Sequence, residues 1–249
     1  MVQKVNLKNL EKDLLKLKNK EKAKNLAWFF KTGKGDYGEG DVFLGITVPE
    51  TRKLAKKYGE LTLPEIEKLL KSKYHEARLC ALLLLVHQYR KTKIERNKKE
   101  IFDFYLKNTV YINNWDLVDL SAGYIVGDYL IDKNHSTKLM ASRKILKKLA
   151  KSKNLWERRI AMIATFAFIY QGEYKDTFQI AEILLEDKHD LIQKAVGWML
   201  REVGKRVSEK ELENFLKKYA KKMPRTTLRY AIERFPEPKR QMYLKMKNI

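Results

Sequence analysis

Cysteine, proline and glycine are all scarce in this chain of 249 residues, with Cys 1, Pro 5 and Gly 11. The lone Cys80 excludes a disulfide scaffold and any Cys-based zinc site, and it suits a reducing compartment. Few Gly and Pro argue against a strand-rich fold, which needs many tight turns, and favour helices. No apolar run reaches membrane-spanning length; the longest, Ala81 to Val86, reads as a piece of a buried helix. The Lys-rich N-terminus is not followed by a signal-peptide core. A cytoplasmic protein is therefore expected. Acidic residues are also in deficit: Lys+Arg 53 against Asp+Glu 31 leaves a formal net charge of +22. What is plentiful is apolar, at 44% hydrophobic residues, which is enough for a real core and too much for a disordered chain.

The charge narrows the partner. A pI near 9.8 points to a polyanion, nucleic acid first and an anionic membrane surface second. Lys greatly outnumbers Arg, and a Lys-rich surface can also reflect thermal adaptation.

Along the chain, residues 1–31 read as helical, with Leu7, Leu10, Leu14 and Leu17 at three- and four-residue spacing before Leu26, Ala27, Phe29 and Phe30. Thr32 to Gly40 is the only Gly-dense stretch and reads as a loop. It is not a phosphate-binding loop, because no strand precedes it and the Gly-Lys-Ser/Thr ending is missing. Pro49 opens the next helix, and Pro64 and Pro224 mark two further starts. From there helical segments of ~10–18 residues alternate with short polar turns. No strand and no linker stands out, so one helical repeat domain over 1–249 is expected.

Five segments can be laid over one another, with Arg78, Asp119, Arg159, Lys194 and Arg229 in register at intervals of 41, 40, 35 and 35. These periods match a two-helix HEAT-type repeat. A helix pair cannot bury its apolar face alone, so neighbours stack. The expected fold is all-α, an α-α superhelix with a concave basic groove. The register residue opens the second helix of each pair and faces that groove. Basic rungs suit phosphate. An equally plain role exists: the basic residue of such repeats often pairs with an acidic residue of the preceding turn, which would account for Arg78 and Arg229. Asp119 fits neither role, since an acidic rung would repel phosphate.

Trp115 and Asp119 are four apart and share a helix face. Trp198 stands four after Lys194. If the second helices run parallel, Trp115, Asp119, Arg159 and Trp198 converge on one patch. Trp28 and Trp156 read as core. His75, His87, His135 and His189 lack metal-ligand spacing, His189-Asp190 reads as a solvated turn, and no Ser-His-Asp order stands out. Glu173, Glu182 and Glu186 read as helix-surface charges. The basic run Lys91, Lys93, Arg96, Lys98 and Lys99 reads as a solvated face or a phosphate contact.

The stretches Phe43–Arg52, Asn114–Asp119, Leu155–Arg159 and Ile192–Glu202 resemble the AlkD-type DNA alkylation repair glycosylases, and the resemblance runs over roughly residues 25–235. It implies a HEAT-like solenoid that hydrolyses the N-glycosidic bond of N3-alkyladenine and N7-alkylguanine in duplex DNA without flipping the lesion. It implies catalytic roles for Asp119, Trp115, Trp198 and Arg159. Lys194, Arg201, Arg229, Arg78 and Tyr37 are the expected nucleic-acid contacts. The family's N-terminal aromatic falls on Phe29, which lacks the hydroxyl, or on Tyr37. A related subfamily lacks the aspartate and is not expected to excise bases; Asp119 is present here. No cofactor, no metal, no membrane and a monomer are expected. The alternative is a non-catalytic HEAT-type module that binds DNA structure or a protein partner.

Overall fold

The computed structural model describes residues 5–131 and 143–246. Its described residues are helical with no strand beyond an isolated Val42–Tyr74 bridge, so the all-α expectation holds. No described helix is long and apolar enough to cross a membrane. The chain divides into two compact units, Met1–Ser121 and Ala122–Ile249.

The N-terminal unit holds α1 (Leu7–Lys16), α2 (Lys20–Phe29), α3 (Val48–Lys57), α4 (Leu63–Leu70), α5 (His75–Lys91), α6 (Glu95–Lys107) and the short α7 (Trp115–Asp119). The expected single helical stretch at the start is broken before Asn19. That side chain accepts from the Lys22 amide and caps α2, and its own amide donates to the Leu44 carbonyl. Helices α3 and α4 begin identically. Thr47 with Glu50, and Thr62 with Glu65, form capping boxes ahead of Pro49 and Pro64. Helix α5 is the axis of the unit. Its run Leu79 to Val86 is buried throughout, and α3, α4, α6 and α7 pack around it.

The C-terminal unit begins with a π-helical turn, Gly123–Gly127. It continues through α8 (Lys144–Ala150), α9 (Leu155–Tyr170), α10 (Lys175–Ile183), α11 (Asp190–Arg206), α12 (Glu209–Tyr219), α13 (Arg225–Ala231) and α14 (Glu237–Leu244). Helices α9, α11 and α13 lie side by side, with α8 and α10 against α9 and α12 against α11. Gly197 makes the α11–α13 approach possible. A Cβ there would lie 2.5 Å from the Thr227 carbonyl oxygen and 2.5 Å from Tyr230 Cβ.

Helices α5, α7, α9, α11 and α13 start at His75, Trp115, Leu155, Asp190 and Arg225, which are 40, 40, 35 and 35 residues apart. The repeat is real, with the first interval one shorter than the side-chain overlay suggests. Asp119, Arg159, Lys194 and Arg229 are each the fifth residue of their helix, whereas Arg78 is the fourth. Leu79 takes the fifth place in α5.

Candidate functional site

The fourth position has a structural use. Arg78 Nη1 donates to the Ser72 carbonyl at 3.1 Å, Arg158 Nη1 to the Ser152 carbonyl at 3.0 Å, and Gln193 Nε2 to the Asp187 carbonyl at 3.0 Å. All three bonds tie the helix back to the turn six residues earlier. Arg78 also pairs with Asp41 at 2.5 Å, and Arg158 with Asp187 at 2.7 Å. Arg78 is thus the counterpart of Arg158, not of Arg159, and its guanidinium is buried in an ion pair with Asp41, 37 residues back at the end of the Gly-rich segment. The sequence carries a sign of this: Lys-Ser-Lys precedes both, at 71–73 and 151–153.

The fifth position is where the chemistry-bearing side chains stand. Asp119 is half-buried at the end of α7, and Trp115 is half-buried at its start. Burial drives the Tyr105 phenol far above its ordinary range; the Ser121 hydroxyl, 2.9 Å away, partly opposes the shift, and the Asp119 charge adds a smaller push upward.

The placement of Trp115 is over-determined. Asn114 accepts the Trp115 amide at 2.8 Å and donates to Asp41 at 3.0 Å. The Trp115 ring stacks on Phe30 at 5.1 Å, Phe30 on Phe43 at 5.0 Å, and Phe43 on the His75 imidazole at 4.5 Å. Phe29 closes on Trp115 edge-to-face at 6.0 Å. His75 itself is clamped, with Nδ1 3.0 Å from Asp41 and Nε2 2.9 Å from Asp116. Burial alone would lower its pKa, but the Asp116 charge and hydrogen bond, with those of Asp41, raise it to about 9. The ring is therefore an imidazolium at neutral pH. Burial opposes ionisation of Asp41, yet the His75 hydrogen bond, the Arg78 charge and the Asn114 amide hold its carboxyl below the usual range. Asp41, His75, Arg78, Asn114 and Asp116 form one buried network beneath Trp115.

The neighbouring carboxylate has a comparable task. Glu76 accepts the backbone amides of Leu44 and Gly45, at 2.8 and 2.7 Å, and of Ile46 at 3.2 Å. Gly45 has φ of 84°, and a Cβ there would collide with the Asn19 carbonyl. The Phe-Leu-Gly-Ile stretch is thereby wrapped on a buried anion, which delivers Phe43 to the stack.

In the C-terminal unit Arg159 is buried on α9, and its Nη1 donates to the Leu191 carbonyl at 2.5 Å. Trp198, on the adjacent α11, is half-buried with its ring 5.8 Å from Phe166. Lys194 is 40% exposed and pairs with Asp190 at 2.7 Å. Arg201 sits between Glu233 at 2.5 Å and Glu202 at 3.1 Å. Arg229 is exposed, and Tyr37 is half-buried in the Gly-rich turn.

Trp156 is buried at 8%, as expected, but Trp28 is 83% exposed and is not core. The inward stripe of α2 is Ala23, Leu26, Ala27 and Phe30, at helical spacing, and Trp28 falls nearly opposite it. His189 caps α11 by accepting the Leu191 amide at 3.2 Å. His135 lies outside the described residues. Glu173 pairs with Arg143, while Glu182 and Glu186 are exposed surface charges. In the basic run, Lys91 pairs with Glu60 and Lys99 with Asp103, both exposed. Among the described residues no cluster of three or more His, Cys, Asp or Glu side chains could hold a metal ion. The sequence reading does not reach the buried network, although Asn114 and Asp116 flank Trp115 and His75 opens the helix that carries the buried run Leu79 to Val86.

Helix pairs recurring at 35–40-residue intervals define an all-α helical-repeat protein. Residues 10–235 match the family described as DNA alkylation repair enzyme, and the chain belongs to that family. A solved structure described as a predicted DNA alkylation repair enzyme from Enterococcus faecalis shares the fold. It is similar with a TM-score of 0.67 at 19% identity, over 88% of this chain and 97% of that one. No curated protein matches the sequence.

Proposed function

We propose that this chain is a monofunctional DNA glycosylase that removes cationic alkylated purines, N3-alkyladenine and N7-alkylguanine, from duplex DNA. The observation that carries this reading is Asp119, half-buried one turn from an indole that a buried network holds in place. A protein that only bound phosphate would gain nothing from a carboxylate at the register position that Arg159, Lys194 and Arg229 occupy in the other repeats.

Alkylation at N3 or N7 makes the purine a cation and a good leaving group, so a strong general acid is unnecessary. As the C1′–N bond breaks, its electron pair neutralises the departing purine and the sugar gains oxocarbenium character. Asp119 stabilises that positive charge and orients the attacking water, whose proton it accepts as the new C1′–O bond forms. The Trp115 and Trp198 faces favour nearby positive charge by about 0.5–2 kcal/mol each. Arg159 acts on a phosphate near the lesion. Lys194, Arg201, Arg229 and Tyr37 supply further backbone contacts. Arg78 is spent on Asp41 and is left out of this set. Water is the only co-reactant that this step consumes. A single chain suffices, acting as a monomer in the cytoplasm.

Release of 7-methylguanine from methylated duplex DNA tests the reading, with Asp119→Asn as the control. Release by the unmodified chain and a fall of at least about 100-fold in the variant are expected. Absence of release by the unmodified chain would turn the assignment to a non-catalytic DNA-binding or protein-binding module. Equal release by both would remove Asp119 from the mechanism.

A further inference from the structure

The Trp28 indole is 83% exposed on α2, a helix with no fully buried residue. An indole left in water forgoes the burial that usually justifies so large a side chain. Its surroundings are cationic. Lys24 and Asn25 precede it by four and three residues on α2, Lys31 lies just past the helix end with φ of 52°, and all three are exposed. Glu21 is the carboxylate on the same face, two turns back. Phe29, 54% exposed, continues the aromatic surface to the edge of Trp115. An aromatic face flanked by lysines is complementary to a nucleobase attached to its phosphates, since every base offers a π-face and the lysines meet the backbone.

We propose that Trp28 is a DNA contact that stacks on a nucleobase uncovered at a disturbed step of the duplex, with Lys24 and Lys31 on the adjoining phosphates. This rests on duplex DNA being the substrate, and it adds recognition of a broken base stack to the chemistry at Asp119. Stacking neutralises no phosphate, so it raises affinity for unstacked DNA without changing the salt dependence.

Binding to a short labelled duplex carrying one abasic-site analogue is compared with binding to the intact duplex. Trp28→Ala is expected to lose about 10-fold in affinity for the abasic duplex and far less for the intact one, with an unchanged salt slope. Trp28→Phe keeps most of the affinity. Because the side chain is on the surface, the melting temperature of both variants stays at that of the unmodified chain. Unchanged binding by Trp28→Ala overturns the proposal. So does an equal loss on both duplexes with a shallower salt slope, which would make the indole a mere prop for lysines. Phosphatidylserine vesicles are a third arm: a Trp28-dependent blue shift there, without one on DNA, also overturns it. Base release is read separately. Release with an indifferent Trp28→Ala variant sinks the stacking contact alone, and Trp28-dependent binding without release sinks the catalytic reading alone.

Discussion

The two units handle charge in opposite ways. The N-terminal unit buries Asp41, His75, Glu76, Arg78 and Asp116 among aromatic rings. The C-terminal unit keeps most of its ion pairs near the surface, as in Arg201–Glu233 and Lys239–Glu209, and relies on close helix packing at Gly197. Buried pairs hold Trp115 rigidly, but each partner is costly if left alone. Surface pairs contribute little and can be rearranged. The comparison teaches that the indole of α7 sits on an aromatic stack anchored by buried charges, and that of α11 on helix packing alone.

The largest expected effect comes from removing one partner of the buried network. Asp116→Ala strips His75 Nε2 of its partner and leaves the imidazolium only Asp41, which Arg78 shares; a cost of about 3 kcal/mol, read by urea denaturation, is expected. Lys239→Ala, which removes only surface pairs with Glu209 and Glu213 in the C-terminal unit, should cost far less. Similar losses in the two variants would erase the contrast.

A pH series sharpens it next. His75 has a folded pKa of about 9, raised above its ordinary 6.5. Its contribution is therefore complete below 6.5 and lost as pH rises through 9. That loss is on the order of 3 kcal/mol. Asp41 works in the other direction: its lowered pKa contributes above the ordinary 3.8 and is lost as pH falls below it. Denaturation midpoints should form a plateau between about pH 4 and 6.5, and the alkaline decline should vanish in His75→Gln. A decline that survives that substitution would place the titration elsewhere.

Packing is probed by Gly197→Val, whose side chain meets the Thr227 carbonyl and Tyr230. A loss of about 1–3 kcal/mol is expected, independent of pH. The smallest effect is Lys194→Ala, near neutral for stability and lowering the salt slope of DNA binding by about 1. An unchanged slope would leave Lys194 as a helix-surface partner of Asp190.

How much was legible differs residue by residue. The buried run of α5, the Pro-marked helix starts and the Trp115–Asp119 pair follow from spacing, because helical periodicity is written locally. Arg78 was set beside Arg159 because both are basic and near a helix start. Only the hydrogen bond to a carbonyl six residues back separates the fourth position from the fifth. Size alone puts Trp28 in the core, while the stripe of Ala23, Leu26, Ala27 and Phe30 faces inward without it.

The sequence by itself determined an all-helical repeat, a large positive charge, and the carboxylate–indole spacing on α7, since each depends on residues a turn or two apart. Tertiary structure alone decided that Asp41 and Asp116 meet on the two nitrogens of one histidine, 34 and 41 residues away from it. The energy of a buried charge depends on what surrounds it in space, and chain order carries no record of that distance.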